Sequence, residues 1–234
     1  MSEPAKRENL LVNLLFNIAI PSLILAKAST PDRLGPVWGL IVALAFPVSY
    51  GLWDFAQRKQ ANFISIIGFA SVLLTGGLGL MKADNHWFAI KEAAVPTIIG
   101  LAVWISMYTS RPLVRQFLFN EQAFDTEKIE SALADRGNQS VFDHLLRSST
   151  YLLVASFTLS AVLNYALARW LLKSPSGSPE FNAELGKMNA LSWPVIVIPT
   201  MVITIYALWR LITGIKRLSG LELEEMMHTP PPKK

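Results

Sequence analysis

The sequence predicts an all-α fold, a polytopic transmembrane helix bundle of about six spans. Three observations predict it. Hydrophobic residues make up 52% of the 234 and charged residues only 16%, well below the ~25% charged of an ordinary soluble domain. Apolar runs of about 20 residues recur along the chain, each long enough to cross a hydrocarbon core ~30 Å thick. Asp, Glu, Lys, Arg and His keep to the ends of these runs, as expected when an ionisable group at a helix centre costs about 2.5–3.5 kcal/mol.

Taken in order, residues 1–8 are a short polar head with Lys6 and Arg7, and residues 9–28 form the first apolar run. The triplet Ala26-Lys27-Ala28 before Ser29 fits a signal-peptidase site. Asn13, Asn17 and Pro21 interrupt the run, however, so it is read as a retained first span. Residues 35–53 make the second span, with Pro47 placed to kink it. Residues 62–81 make the third. Residues 82–92 read as a polar turn in which Trp87 and Phe88 sit at interface depth, and the fourth span covers residues 89–109.

Residues 110–149 are different. Leu113, Phe117, Phe119, Ile129, Leu133, Phe142, Leu145 and Leu146 recur among charges at helical spacing. This predicts a cytoplasmic amphipathic segment, on the membrane surface or against the bundle, broken at Arg136-Gly137-Asn138. The fifth span covers residues 150–172. Residues 173–192, opened by a Ser/Pro/Gly run, read as an external loop, and the sixth span covers residues 193–215. Residues 1–215 are therefore one membrane domain, and residues 216–234, ending Pro-Pro-Pro-Lys-Lys, a disordered cytoplasmic tail. With the N-terminus inside, about 14 of the 21 Lys and Arg fall on cytoplasmic segments and about 7 outside, as the positive-inside rule requires.

Composition excludes several functions. The net charge of +4 is spread over span edges rather than gathered on a stripe, so nucleic acid is not a partner. With no cysteine and three histidines in separate segments, His86, His144 and His228, no metal site or cofactor is expected. Nucleotide-binding glycine loops, H-E-x-x-H and G-x-S-x-G are missing from the sequence, and the chain reads as a non-enzyme. What polarity the spans keep is uncharged. Asn9, Asn13 and Asn17 recur every four residues as a stripe on one helix face, and Asn164 is their counterpart in span five. Interhelical hydrogen bonding explains them, and a polar path between helices is the alternative. Gly76, Gly77 and Gly79 let another backbone approach. Trp87 anchors at the interface, and Lys91 and Glu92 form a surface pair or Lys91 snorkels to phosphate. Arg111, Arg115, Arg136 and Arg147 attract anionic lipid.

One stretch, residues 63–121, resembles the YciB family of bacterial inner-membrane proteins, also called intracellular septation protein A. The matching pieces are Gly76-Gly77-Leu78 with Leu80, an Asp/Asn turn, an aromatic before Lys91, then Arg111-Pro112-Leu113-Val114-Arg115-Gln116 and Glu121, with Leu163-Asn164-Tyr165 a weaker echo. Segment 110–149 is longer than the family's, which marks a divergent six-span branch. The resemblance implies a bacterial inner-membrane protein, multi-pass with both termini cytoplasmic, that supports envelope integrity or septation through the lipid bilayer, other envelope or division proteins, or a homo-oligomer. Gly76, Gly77, Trp87, Lys91, Pro112, Arg115, Gln116 and Asn164 are then the family-motif and interaction residues. The alternative is a small-solute transporter or lipid-handling protein lined by Asn13, Asn17 and Asn164.

Overall fold

Helices account for most of the described residues. The structure is a computed structural model that describes residues 15, 19–58, 63–109, 112–118 and 124–227. The helices run α1 (Ile20–Lys27), α2 (Gly35–Arg58), α3 (Phe63–Leu80), α4 (Asn85–Ser106), α5 (Leu113–Leu118), α6 (Thr126–Asp135), α7 (Gln139–Leu171) and α8 (Pro179–Ser192). A π-helical turn at Trp193–Val197 follows, then α9 (Ile198–Ser219) and α10 (Leu223–Met226). The described residues divide into two compact units, residues 1–95 with 161–197 and residues 96–160 with 198–234. The sequence predicts one membrane domain. The division falls inside α4, inside α7 and after the π turn, where no linker marks it.

Among the described residues four helical runs are long and apolar enough to cross a membrane: Gly35–Trp53, Asn85–Ser106, Gln139–Leu171 and Pro179–Ser219. Six were expected. Nine of the 20 residues of the first expected span lie outside the described residues, and the helix in its described part, α1, has 8 residues, too few to cross alone. The third, α3, has 18 residues, about 27 Å of helix, and is not among the four.

In the first unit, α1 packs on α2 and α8, and α3 packs on α2. Its core gathers Leu25, Leu40, Phe88, Leu167, Leu172, Phe181, Leu185 and Met188. Phe88 is fully buried and meets Phe181 edge-on, with ring centroids 4.9 Å apart. It is a core residue, not the interface anchor expected, because α4 already starts at Asn85 and turns residue 88 inward. The expected external loop is also corrected, since most of it is α8. Ser178 accepts from the Phe181 amide at 3.1 Å and Pro179 takes the first turn, a favourable helix start. Phe181, Leu185 and Met188 then fall on one buried face.

In the second unit, the core is Val103, Val114, Ile129, Leu133, Phe142, Leu146, Leu211, Ile215, Leu218 and Met226. Asp125 caps α6 by accepting from the Lys128 amide at 3.0 Å, and α6 lays Ile129 and Leu133 into this core rather than on a bilayer surface. Gly137, at φ +65°, makes the turn between α6 and α7, a conformation L side chains resist. From there α7 runs 33 residues unbroken. Residues 139–149, expected in the amphipathic segment, are therefore continuous with the fifth span. The tail is ordered to Met227, not disordered. A reciprocal capping box between Glu222 and Glu225 starts α10, Met226 is fully buried, and Phe124 and Met227 form an antiparallel bridge. Residues 228–234 lie outside the described part.

The run Gly35–Trp53 carries an exposed aromatic near each end, Trp38 and Trp53. At 1.5 Å per residue the two are about 22 Å apart, a spacing that suits the two interfacial belts of a bilayer.

Candidate functional site

Lys91 and Glu92 occupy the second turn of α4, about 6 Å inward from Trp87 along the helix axis. The Lys91 side chain is 8% exposed and that of Glu92 22%. The Lys91 ammonium donates to Thr75 Oγ1 on α3 at 2.5 Å and to Glu92 Oε1 at 2.6 Å. Thr75 in turn donates to the Ser71 carbonyl at 2.9 Å. The Lys91 ammonium thus links α4 to α3, and Lys91 is neither the surface residue nor the snorkelling one that the sequence implies. Removing two charges from water costs several kcal/mol per ion unless geometry and hydrogen bonds compensate; the Thr75 hydroxyl and the short ion pair supply that compensation.

A second polar feature of the first unit is Asn182 on α8, which is fully buried. Its Nδ2 donates to the Pro36 carbonyl at 2.6 Å, while Oδ1 has no protein partner. Nearby in the fold, Asn85 Nδ2 donates to the Leu172 and Ser174 carbonyls at 3.1 and 2.8 Å. Glu184 accepts from the Lys173 and Ser174 amides and from Ser174 Oγ. Asn85 and Glu184 tie the turn after α7 to α4 and α8, and Asn182 ties α8 to the start of α2. Sequence reading missed all three, although Asn182 and Glu184 lie on the same helix as the period-four Phe181 and Leu185.

In the second unit a hydroxyl seam joins α7 to α9. Ser156 Oγ donates to the Thr200 carbonyl at 3.0 Å and lies 3.2 Å from Thr204 Oγ1, and Arg210 donates to Ser148 Oγ at 2.6 Å. Arg115, exposed, pairs with Glu130 of α6. The Arg136 guanidinium lies over Gly220, and Asn138 Nδ2 donates to the Leu218 carbonyl at 2.9 Å, so both residues cover the C-terminal end of α9. Arg136 is thereby engaged with the protein.

The remaining motif positions scatter. Gly76 and Gly79 approach α2, where an added Cβ would meet Leu44 at 3.0 Å and Leu40 at 2.5 Å, but Gly77 meets nothing within 4 Å. Trp87 is 57% exposed. Pro112 precedes α5 and its carbonyl accepts from the Arg115 amide at 3.0 Å. Gln116 falls in α5, its side chain outside the described part. Asn164 is half-buried on α7. Asn9, Asn13 and Asn17 lie outside the described residues. Lys91 is brought into a buried polar contact between helices. The chain matches no family model, no curated protein and no solved structure.

Proposed function

We propose that the chain is a multi-pass protein of the bacterial inner membrane that acts without catalysis, engaging other envelope or division proteins through an ordered cytoplasmic module. The module comprises α5, α6, the first turns of α7, the end of α9 and α10. In this reading α3, and α1 together with the residues before it, supply two further spans, six in all, and both termini are cytoplasmic. The observation that carries the proposal is the module itself: Ile129, Leu133, Phe142 and Met226 join the core of the second unit, and its tail is tied down by a cap and a bridge. Chain ordered to this degree beyond the spans supplies a rigid surface, which suits binding to a partner. Carboxylates outnumber Lys and Arg in the described module, so a protein surface suits it better than anionic lipid. The septation or envelope role rests on the resemblance of residues 63–121 alone.

Site-specific photo-crosslinking tests the reading. Probes at Val141 and Leu223, both exposed on the module, are expected to give a discrete crosslinked protein or a second copy of the chain. Crosslinks to lipid alone from both positions would contradict it.

A second reading, a small-solute transporter, is favoured by one observation: the Lys91–Glu92 pair lies inward of Trp87, and ionisable residues at such depth mark ion paths.

A further inference from the structure

We infer that Glu92 and Thr75 form a binding site for a small monovalent cation, and that the Lys91 ammonium fills this site in the state described. The inference goes beyond the interaction reading and does not depend on it. Lys91 and Glu92 are successive residues on α4, so their ion pair joins no two elements; the link to α3 is made by the neutral Thr75 hydroxyl. A buried pair of this kind adds little stability over apolar residues of similar size, which leaves its chemistry as the reason to explain. That chemistry is a carboxylate oxygen and a hydroxyl oxygen converging on one positive centre at 2.6 and 2.5 Å. Hard oxygen donors of this kind suit an alkali cation or a primary ammonium.

The occupant is tethered. The described residues of α3 from Ala70 to Leu80 carry no ionisable side chain, so Lys91 is the cation that α3 and α4 themselves bring to Glu92. Its four-carbon stem permits the ammonium to leave while the helix stays in place, and the 22% exposure of Glu92 gives a route for a competing ion. The site therefore takes two alternative occupants, the chain's own amine or a small cation of the same charge. Exchange between them leaves the net charge of the site unchanged, which is the condition for loading it at this depth without burying an unpaired carboxylate.

The test uses the full chain in detergent, with thermal unfolding followed in methylammonium, sodium or choline chloride at one ionic strength. Lys91→Ala empties the site while leaving Glu92 in place. It is expected to melt below the parent in choline and to gain at least about 3 °C, saturably, with methylammonium. A matching gain with sodium defines a general monovalent site, and a gain with methylammonium alone defines an amine site. Lys91→Ala/Glu92→Gln should lose the gain in every salt. The inference is overturned if Lys91→Ala melts identically in all three salts, if the double variant keeps the gain, or if Lys91→Ala fails to fold even with small cations present.

Discussion

At the residue scale, Lys91 shows what a linear reading can and cannot reach. Its presence near a span end was legible, and so was Glu92 beside it. Its burial was not, because that depends on Thr75 of α3 turning toward it, a fact of helix pairing absent from either helix alone. The consequence is measurable. Lys91→Met or Glu92→Gln strands the other charge and should destabilise the protein by about 3–5 kcal/mol, whereas Lys91→Met/Glu92→Leu should recover most of that loss. Additive losses in a double-mutant cycle of unfolding in detergent would show that the two residues are not coupled. Glycines follow the same logic. A Cβ at Gly186 would meet the Ser22 carbonyl at 2.8 Å, while one at Gly77 meets nothing within 4 Å. Gly186→Ala should therefore destabilise by about 1–3 kcal/mol, and Gly77→Ala should stabilise by up to about 1 kcal/mol, although both read alike as small residues in apolar surroundings.

At the element scale, the long apolar helices and the break at Gly137 were legible from hydropathy and turn chemistry, and α8 and α10 were not. The Ser174–Ser178 run hid the α8 start, although Ser178-Pro179 followed by Phe181, Leu185 and Met188 carries a cap and a period. The tail was masked by its charges, yet one residue, Met226, orders it by filling the core of the second unit. Met226→Ala should remove about 2–5 kcal/mol and speed amide exchange in both α10 and α6, since the Asp125 amide donates to the Met226 carbonyl at 2.8 Å. Unchanged exchange in α6 would show that the tail holds nothing down. The exposed Lys216–Glu222 pair adds a pH dependence. The hydrogen bond from Lys216 to Glu222 raises the Lys216 pKa above its usual 10.5. Its contribution is therefore complete below pH 10.5 and disappears as pH climbs through the raised value. The stability gap between the parent and Lys216→Gln should be flat at neutral pH and close in strong base; a gap that widens there would reverse the assignment.

At the scale of the whole molecule, four helical runs among the described residues are long and apolar enough to cross a membrane, and each of the two units has a hydrophobic core. The spacing of Trp38 and Trp53 on α2 suits a membrane-spanning helix as well. Composition alone made this class legible, because a soluble core has no use for so many uninterrupted apolar runs. The number of spans was less legible, since α8, the π turn and α9 form one run from Pro179 to Ser219 that sequence had divided into loop and span. The most direct test is sidedness. The parent chain has no cysteine, so single cysteines can be placed at Asp32 and Lys187 and, in separate variants, at Glu130 and Glu224, all exposed positions. An impermeant maleimide applied to oriented vesicles should label the first two from the outer face only and the last two from the cytoplasmic face only. Labelling of all four from one face would contradict a membrane-spanning chain with a cytoplasmic module.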